Sequence, residues 1–166
     1  KKVVWEYKTA PTNEIHTCQP LADGSVLVGE CGTCRMIEVD RQGKVRKEIK
    51  LQTTTKNVHM QIRLCRKTPA GTYLVCLTGE NAVREYGPEG NVIRTINNPG
   101  CPYVAVRLPS GNTLIACGDV HKLIEVDAQD RVVWQLNEND LPSNPLRFVA
   151  GVQRLPNGNT VVCNWG

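Results

Sequence analysis

The segment Leu108-Pro-Ser-Gly-Asn-Thr-Leu-Ile-Ala-Cys117 returns almost unchanged as Leu155-Pro-Asn-Gly-Asn-Thr-Val-Val-Cys163. Weaker copies of the same pattern begin at Leu21 and at Thr68. The turn glycines of the four copies are Gly24, Gly71, Gly111 and Gly158, and the intervals between them are 47, 40 and 47 residues. This period is typical of four-stranded propeller blades and not of helical repeats. The chain is therefore an array of repeats.

A second turn recurs at a constant distance from these glycines. It precedes Lys44, Asn91 and Arg131, each of which lies 20 residues after the glycine of its copy. Short runs rich in Val, Ile, Leu and Thr lie between and beside the two turns, as expected of strands. The pattern predicts an all-β protein, a β-propeller of four-stranded antiparallel blades, with complete blades at about 16–51, 59–96 and 101–136. In the third blade it predicts strands near 103–108, 113–118, 122–127 and 131–136.

Partial blades flank the three complete blades in this prediction. Residues 1–7 contain a run that matches Arg131-Val-Val-Trp-Gln-Leu136 and predicts an outermost strand, and residues 147–166 predict two strands of a further blade. A ring closed from both ends would lack one strand. Two explanations stay open: a piece of a larger ring of about six or more blades, which we favour, or a small ring or dimer. Open blade edges would favour self-association.

Composition and charge exclude several classes of partner. The net charge of +4 comes from 20 basic and 16 acidic residues that are spread along the chain, so we expect no nucleic-acid binding. No apolar stretch approaches the roughly 20 residues that a membrane span needs. The sequence begins at Lys1-Lys2-Val3 without Met or a signal pattern, and we expect a processed or trimmed segment.

The repeat also carries a family resemblance. The pattern Leu-Pro-x-Gly-Asn-Thr-Leu, followed by Ile124-Glu-Val-Asp127 and Val132-Val-Trp134, resembles the repeat of PQQ-like and arylsulfotransferase-like bacterial propellers over nearly the whole chain. In those families, some members bind a quinone cofactor and some transfer sulfate through a histidine. The quinone-enzyme blade usually contains Thr-Gly between its Asp and its Trp, and Asp127-Ala-Gln-Asp-Arg-Val-Val-Trp134 lacks both residues. We therefore expect no quinone and no other cofactor.

All three histidines fall on one predicted face. The loops that enter the innermost strands and those that join second to third strands meet at one mouth of a propeller's central channel, where ligands usually bind. His16, His59 and His121 lie in or beside such loops and could ligate a metal, or one could act as base or nucleophile. His16 lies eight residues before its turn glycine and His59 twelve, and His121 belongs to the other loop type. No regular ligand ring emerges, so we predict no metal site and keep polar loop residues as the simpler interpretation.

One mouth loop contains Cys31-Gly-Thr-Cys34, which the other blades lack. Such a pair is half of a typical four-cysteine zinc site, and no second pair exists. Cys31 and Cys34 are instead interpreted as a local disulfide or as two free thiols. A disulfide would imply an oxidising compartment, and we expect a periplasmic or extracellular location.

Basic and aromatic residues near the innermost strands are candidate ligand contacts. A mouth lined with guanidinium groups would suit a carboxylate, sulfate or phosphate. The alternative is that about half of these arginines pair with acidic residues on the same face, such as Glu14, Glu30, Glu80 or Asp119. Trp165 lies in a mouth loop, where it could stack on a sugar or an aromatic ring. The predicted ligand-binding residues are Arg63, Tyr103, Arg107, Arg147 and Trp165.

Three functional hypotheses follow from the sequence. The leading hypothesis is a propeller binding module for a small anionic molecule, a carbohydrate or a protein partner. The second is an enzyme, sulfotransferase-like or polysaccharide lyase-like, with His16 or His59 as base or nucleophile and Arg63 or Arg147 neutralising substrate charge. The third is assembly through the open blade edges. Convergence of histidines and arginines on one point would favour the enzyme.

Overall fold

A computed structural model describes residues 2–166 as an all-β chain of fourteen strands in four antiparallel sheets. The first blade comprises β1 (Glu14–Pro20), β2 (Val26–Cys31), β3 (Arg35–Val39) and β4 (Val45–Lys50). The second comprises β5 (Cys65–Lys67), β6 (Tyr73–Leu77), β7 (Ala82–Tyr86) and β8 (Val92–Asn97). The third comprises β9 (Pro102–Arg107), β10 (Thr113–Cys117), β11 (Lys122–Val126) and β12 (Val132–Leu136). The last sheet pairs β13 (Phe148–Arg154) with β14 (Thr160–Trp165).

The strands of each complete blade follow one another in chain order, so every neighbour pair is a hairpin. In the third blade, the strands differ from the sequence-based bounds by no more than one residue. The predicted fold class, a propeller of four-stranded antiparallel blades, is thereby confirmed, and the blades form an open arc. Helical structure within residues 2–166 is limited to three short 3-10 turns at Val58–Met60, Thr78–Glu80 and Gly118–Val120. None of these is long enough to cross a membrane.

Hydrophobic side chains between neighbouring sheets hold the blades together. Between the first and second blades, Leu27 and Met36 pack with Tyr73 and Tyr86 in one buried cluster. Equivalent clusters fill the next two interfaces. All six residues of β2 and all five of β6 and β10 are buried, because the second strand of a blade is covered on both faces by its neighbours.

The segment before β1 differs from the prediction. We expected an outermost strand over 1–7; Lys1 lies outside the described residues, and residues 2–13 have no strand assignment. None of the fourteen strands pairs with this segment, and a strand needs a hydrogen-bonded partner. Trp5 and Tyr7 instead pack against the cluster that contains Val28 and Ile37. The segment is tied down by the bond from Trp5 Nε1 to the Asp40 carbonyl, at 3.3 Å.

The repeated motif forms the hairpin turn between the first and second strands of every blade, as Leu-Pro-x-Gly in the third blade and the last sheet and as the weaker copies that begin at Leu21 and Thr68 in the first two. In the third blade, Gly111 donates its N–H to the Leu108 carbonyl at 3.0 Å, and Leu108 donates to Asn112 at 2.9 Å. Gly111 has a φ of +88°, which side chains rarely adopt, yet a Cβ atom there would meet nothing within 4 Å. The glycine is therefore required by the backbone conformation and not by a lack of space.

Replacing Gly111 tests this requirement. We expect Gly111→Ala to lower the free energy of unfolding by about 1–2 kcal/mol, because alanine is strained at positive φ. Gly111→Asn should cost less, since asparagine tolerates the left-handed region better. Urea unfolding of the three proteins measures both changes. Equal losses for the two variants would contradict a backbone origin.

Candidate functional site

In three of the four sheets, a β-bulge sets one side chain apart at the channel mouth. In β1, Ile15 pairs with Glu30 and Thr17 with Gly29, so His16 is the extra residue. Tyr103 is extra in β9 and Ala150 in β13 in the same way. Arg63 occupies the corresponding place just before β5, where its N–H bonds to the Cys76 carbonyl at 2.9 Å. Bulges bend a strand and re-aim a side chain, and they are common beside functional sites.

These four positions share one register in the sequence. Each lies eight residues before the turn glycine of its blade: 16 before 24, 63 before 71, 103 before 111, and 150 before 158. The repeat thus places a histidine, an arginine, a tyrosine and an alanine at equivalent points around the mouth. We call them the bulge positions.

Glu14 joins two of the three histidines. Its Oε2 atom lies 2.7 Å from His16 Nε2 and 2.7 Å from His59 Nδ1. The two imidazole rings meet edge to face, with centroids 4.8 Å apart. Hydrogen bonds from His59 first, and then from His16, hold the pKa of the Glu14 carboxyl below its usual range, so the carboxylate form is favoured. We call these three residues the Glu14 cluster.

Arg63 is buried beside this cluster, with only 7% of the residue exposed. Its Nη1 donates to His16 Nδ1 at 2.7 Å, and its Nη2 reaches Met60 Sδ at 3.7 Å. Its Nε has no hydrogen-bond partner, and among residues 2–166 no carboxylate lies at ion-pair distance from this guanidinium. A buried cation is costly unless an anion compensates it. Among the described residues, Arg63 is therefore a buried cation without a carboxylate partner.

A row of aromatic rings continues from Arg63 across the mouth. The guanidinium carbon of Arg63 lies 5.2 Å from the centroid of the Tyr103 ring. Tyr103 meets Phe148 edge to face at 5.0 Å, and Phe148 meets Trp165 in the same manner at 5.5 Å. Trp165 is 71% exposed, so the row leads from a buried charge to an accessible indole. We call Tyr103, Phe148 and Trp165 the aromatic row.

The other two predicted arginines have acidic partners. Arg107 pairs with Glu85 and also donates to the Gly111 carbonyl at 2.7 Å, which places it at the hairpin-turn end of its blade. Arg147 pairs with Glu138 at 2.8 Å. Two of the acidic residues that we considered as arginine partners do pair with an arginine: Glu30 with Arg35, and Glu80 with Arg84. Asp119 instead accepts a hydrogen bond from the Cys101 thiol, and Glu14 binds the histidines.

His121 is separate from the Glu14 cluster. Its Nδ1 lies 3.4 Å from Glu138, the same carboxylate that binds Arg147. The residue caps the 3-10 turn after β10 with a φ of +53°. The structure thus brings together two of the three candidate histidines and one of the candidate arginines.

Cys31 and Cys34 are both free thiols. Cys31 is buried and donates its Sγ proton to the Ile62 carbonyl at 3.3 Å. Burial raises the pKa of the Cys34 thiol to about 11 and also raises the pKa of Cys31, so both stay protonated near neutral pH. The interpretation as two free thiols applies here, and the argument for an oxidising compartment loses its support. A periplasmic or extracellular location stays a prediction.

Comparison with known proteins gives the family. Residues 2–166 match the family described as Mal s 1 allergenic protein-like. The chain belongs to this family. No curated protein matches the chain. The propeller repeat that we inferred from the turns is confirmed, whereas the resemblance to PQQ-like or arylsulfotransferase-like propellers is not confirmed.

Solved structures share the fold across most of the chain. A protein of unknown function from Bacteroides caccae is 33% identical, with a TM-score of 0.86, over 98% of this chain and 60% of that one. A streptogramin B lyase is 14% identical, with a TM-score of 0.75, over 95% and 50% of the two chains. A catalytically inactive virginiamycin B lyase from Staphylococcus aureus with quinupristin is 10% identical, with a TM-score of 0.74, over 96% and 52%. The chain therefore spans between 50% and 60% of these proteins, and the two lyases show the fold alone.

Two residues of this Mal s 1-like mouth escaped the sequence analysis as members of a site. Glu14 was considered only as a partner for arginine, and Phe148 was not considered. The available signal was register: Glu14 and Phe148 each lie ten residues before a turn glycine, 14 before 24 and 148 before 158. Side chains two positions apart in a regular strand lie on the same face. Glu14 would therefore share a face with His16, and Phe148 with Ala150, if the bulge did not turn the later residue.

Substitution of Arg63 tests whether its buried charge lowers the free energy of unfolding. We expect Arg63→Met to leave the free energy of unfolding unchanged or to raise it by about 1 kcal/mol, because methionine replaces an uncompensated buried cation. Arg35→Met is the matched control. It would leave the fully buried Glu30 without the ion pair at 2.6 Å and should cost about 3 kcal/mol. A loss of more than about 2 kcal/mol for Arg63→Met, measured by urea unfolding, would show that Arg63 is structurally satisfied.

The cysteine thiols should differ in how fast they react with an alkylating reagent. Alkylation of the native protein at pH 8 should label Cys18 and Cys163 first, because these two are exposed. Cys31, Cys65, Cys76 and Cys117 are buried and should react only after denaturation. Peptide mass spectrometry identifies the labelled sites. A peptide in which Cys31 and Cys34 are joined would contradict the free thiols.

Proposed function

We propose that this Mal s 1-like propeller binds a small anionic ligand that carries a sugar or aromatic ring, at the mouth of the channel. The observation that carries the proposal is the guanidinium of Arg63, which is buried without a carboxylate partner among residues 2–166. The aromatic row begins at the same guanidinium and ends at an exposed indole. The group that would bind the charge and the rings that would stack on the ligand therefore form one continuous row.

The weakest contact of Arg63 indicates where the anion would bind. Met60 Sδ, 3.7 Å from Nη2, is a poor acceptor for a charged donor. A carboxylate oxygen in its place would accept a charge-assisted hydrogen bond, and the unpartnered Nε offers a second donor on the same planar fork. A uronic acid meets both requirements, since its carboxylate suits Arg63 and its ring suits the indole of Trp165.

Calorimetric titration with a uronic-acid disaccharide and its neutral counterpart tests the proposal. The acidic sugar should bind and the neutral sugar should bind at least about tenfold more weakly, as loss of a charged hydrogen bond costs about 1.5–3 kcal/mol. Arg63→Met should lower affinity for the acidic sugar by a similar factor. Trp165→Ala should lower affinity for both sugars.

The chain offers a matched control pair. Arg154 lies over the Trp134 ring at 5.3 Å from its centroid, but it pairs with Glu125 and lies at the far end of β13. Arg154→Met and Trp134→Ala should therefore leave both affinities unchanged. Equal affinity for the two sugars, or equal effects of the two arginine variants, would reject Arg63 as the anion anchor.

A second candidate function is catalysis, sulfotransferase-like or polysaccharide lyase-like. The observation that favours it is the convergence of His16 and His59 on Glu14, with Arg63 hydrogen-bonded to His16. In an elimination, Arg63 would neutralise a uronate carboxylate and His59 would take the proton from the adjacent carbon, as the bond to the leaving oxygen breaks and a double bond forms. Ultraviolet absorbance of the unsaturated product reports turnover. Loss of product in His59→Ala but not in His121→Ala would support this function, and no product from any uronate polymer would reject it.

A further inference from the structure

We propose that Glu14, His16 and His59 form a binding site for a divalent transition-metal ion of the Zn²⁺ class. The three side chains offer one carboxylate oxygen and two imidazole nitrogens, and these ligand atoms all lie within 4.8 Å of one another. Oxygen and nitrogen ligands of a tetrahedral zinc ion, each about 2.0–2.1 Å from the metal, lie roughly 3.3 Å apart. The two 2.7 Å contacts would lengthen by about 0.6 Å, and the two imidazole nitrogens, which lie within 4.8 Å of each other, would approach by up to about 1.5 Å.

The surroundings of His16 supply the support that a metal-bound imidazole needs. When one ring nitrogen binds a metal, the other carries the proton and usually donates it to a carbonyl or carboxylate. The Ile62 carbonyl lies 3.1 Å from His16 Nδ1, on the side of the ring away from Glu14. This carbonyl also accepts from Cys31, and a carbonyl oxygen has two lone pairs for the two donors.

The proposal implies a change of tautomer at His16. In the present arrangement, Nε2 donates to Glu14 and Nδ1 accepts from Arg63 at 2.7 Å. A metal on Nε2 moves the proton to Nδ1, which then donates to the Ile62 carbonyl and can no longer accept from Arg63. Metal binding would therefore free a guanidinium hydrogen for another acceptor. It would also occupy both histidines, which excludes their use as bases in the second candidate function.

The ligand set indicates the class of metal. Imidazole nitrogens suit Zn²⁺ and its neighbours, whereas Ca²⁺ and Mg²⁺ prefer oxygen ligands alone. Three protein ligands leave a coordination position open, as in catalytic zinc sites. His59 is exposed, so that position is reachable from the mouth. A site of this kind does not depend on the anionic ligand, and the two proposals fail separately.

Co²⁺ titration of the metal-free protein, followed by its visible absorption, tests the site without any organic ligand. We expect saturation at one Co²⁺ per chain with the intense bands of low coordination, and displacement of Co²⁺ by Zn²⁺ but not by Mg²⁺. His16→Ala, His59→Ala and Glu14→Gln should each weaken Zn²⁺ binding by about 100-fold or more, beyond the 10- to 100-fold cost of losing an outer-shell partner. Their melting temperatures establish that each variant is folded.

His121→Ala is the matched control, since His121 also contacts a glutamate at the mouth, at 3.4 Å. It should leave Zn²⁺ binding unchanged. Arg63→Met should tighten binding by about threefold or more, because it removes a positive charge and a competing donor beside His16. Absence of Co²⁺ binding, the spectrum of a fully hydrated ion, or equal losses in His121→Ala and His59→Ala would overturn the proposal.

Discussion

The hairpin between the first and second strands of each blade is the constraint on which both the fold and the mouth depend. Its outer end is fixed by a glycine at positive φ, such as Gly111 at +88°. In three of the four sheets, a bulge at the opposite, mouth end of the hairpin leaves one residue without an opposite partner. The turn sets the register of the pair, and the bulge decides which side chain leaves that register. One backbone unit thus fixes the turn at one end and places candidate site residues at the other.

The sequence specified the turns and strands well because glycine at positive φ and short runs of Val, Ile, Leu and Thr act locally. Gly24 and Gly111 could be recognised without any tertiary contact, and the strands of the third blade agree with the structure to one residue. Residues 2–7, which we expected to form a strand, have no strand assignment, because a strand depends on a partner that sequence pattern does not reveal. Trp5 finds its contacts on a neighbouring cluster instead.

The site was predictable only in part, since contacts across blades join residues far apart in the chain. His16, His59, Arg63, Tyr103 and Trp165 were all candidates, yet nothing local indicated that Glu14 would meet a histidine 45 residues away. Sequence pattern distinguished even less well between the candidate arginines with a carboxylate partner and the candidate arginine without one. Arg63 and Arg107 differ in whether a carboxylate lies within reach, and this depends on which end of the strand each occupies. Register relative to the turn glycine carries that information, because it fixes position along the channel.

The connections between blades alternate in length. Fourteen residues, 51–64, separate β4 from β5, whereas four residues, 98–101, separate β8 from β9, and eleven, 137–147, separate β12 from β13. The two long connections carry His59 and Glu138, and the short one carries neither histidine nor an acidic residue. Lengthening a surface loop costs little, since closure entropy grows only logarithmically with length. Insertion or deletion in these two long connections can therefore change the side chains presented at the mouth, while the packed sheets stay the same.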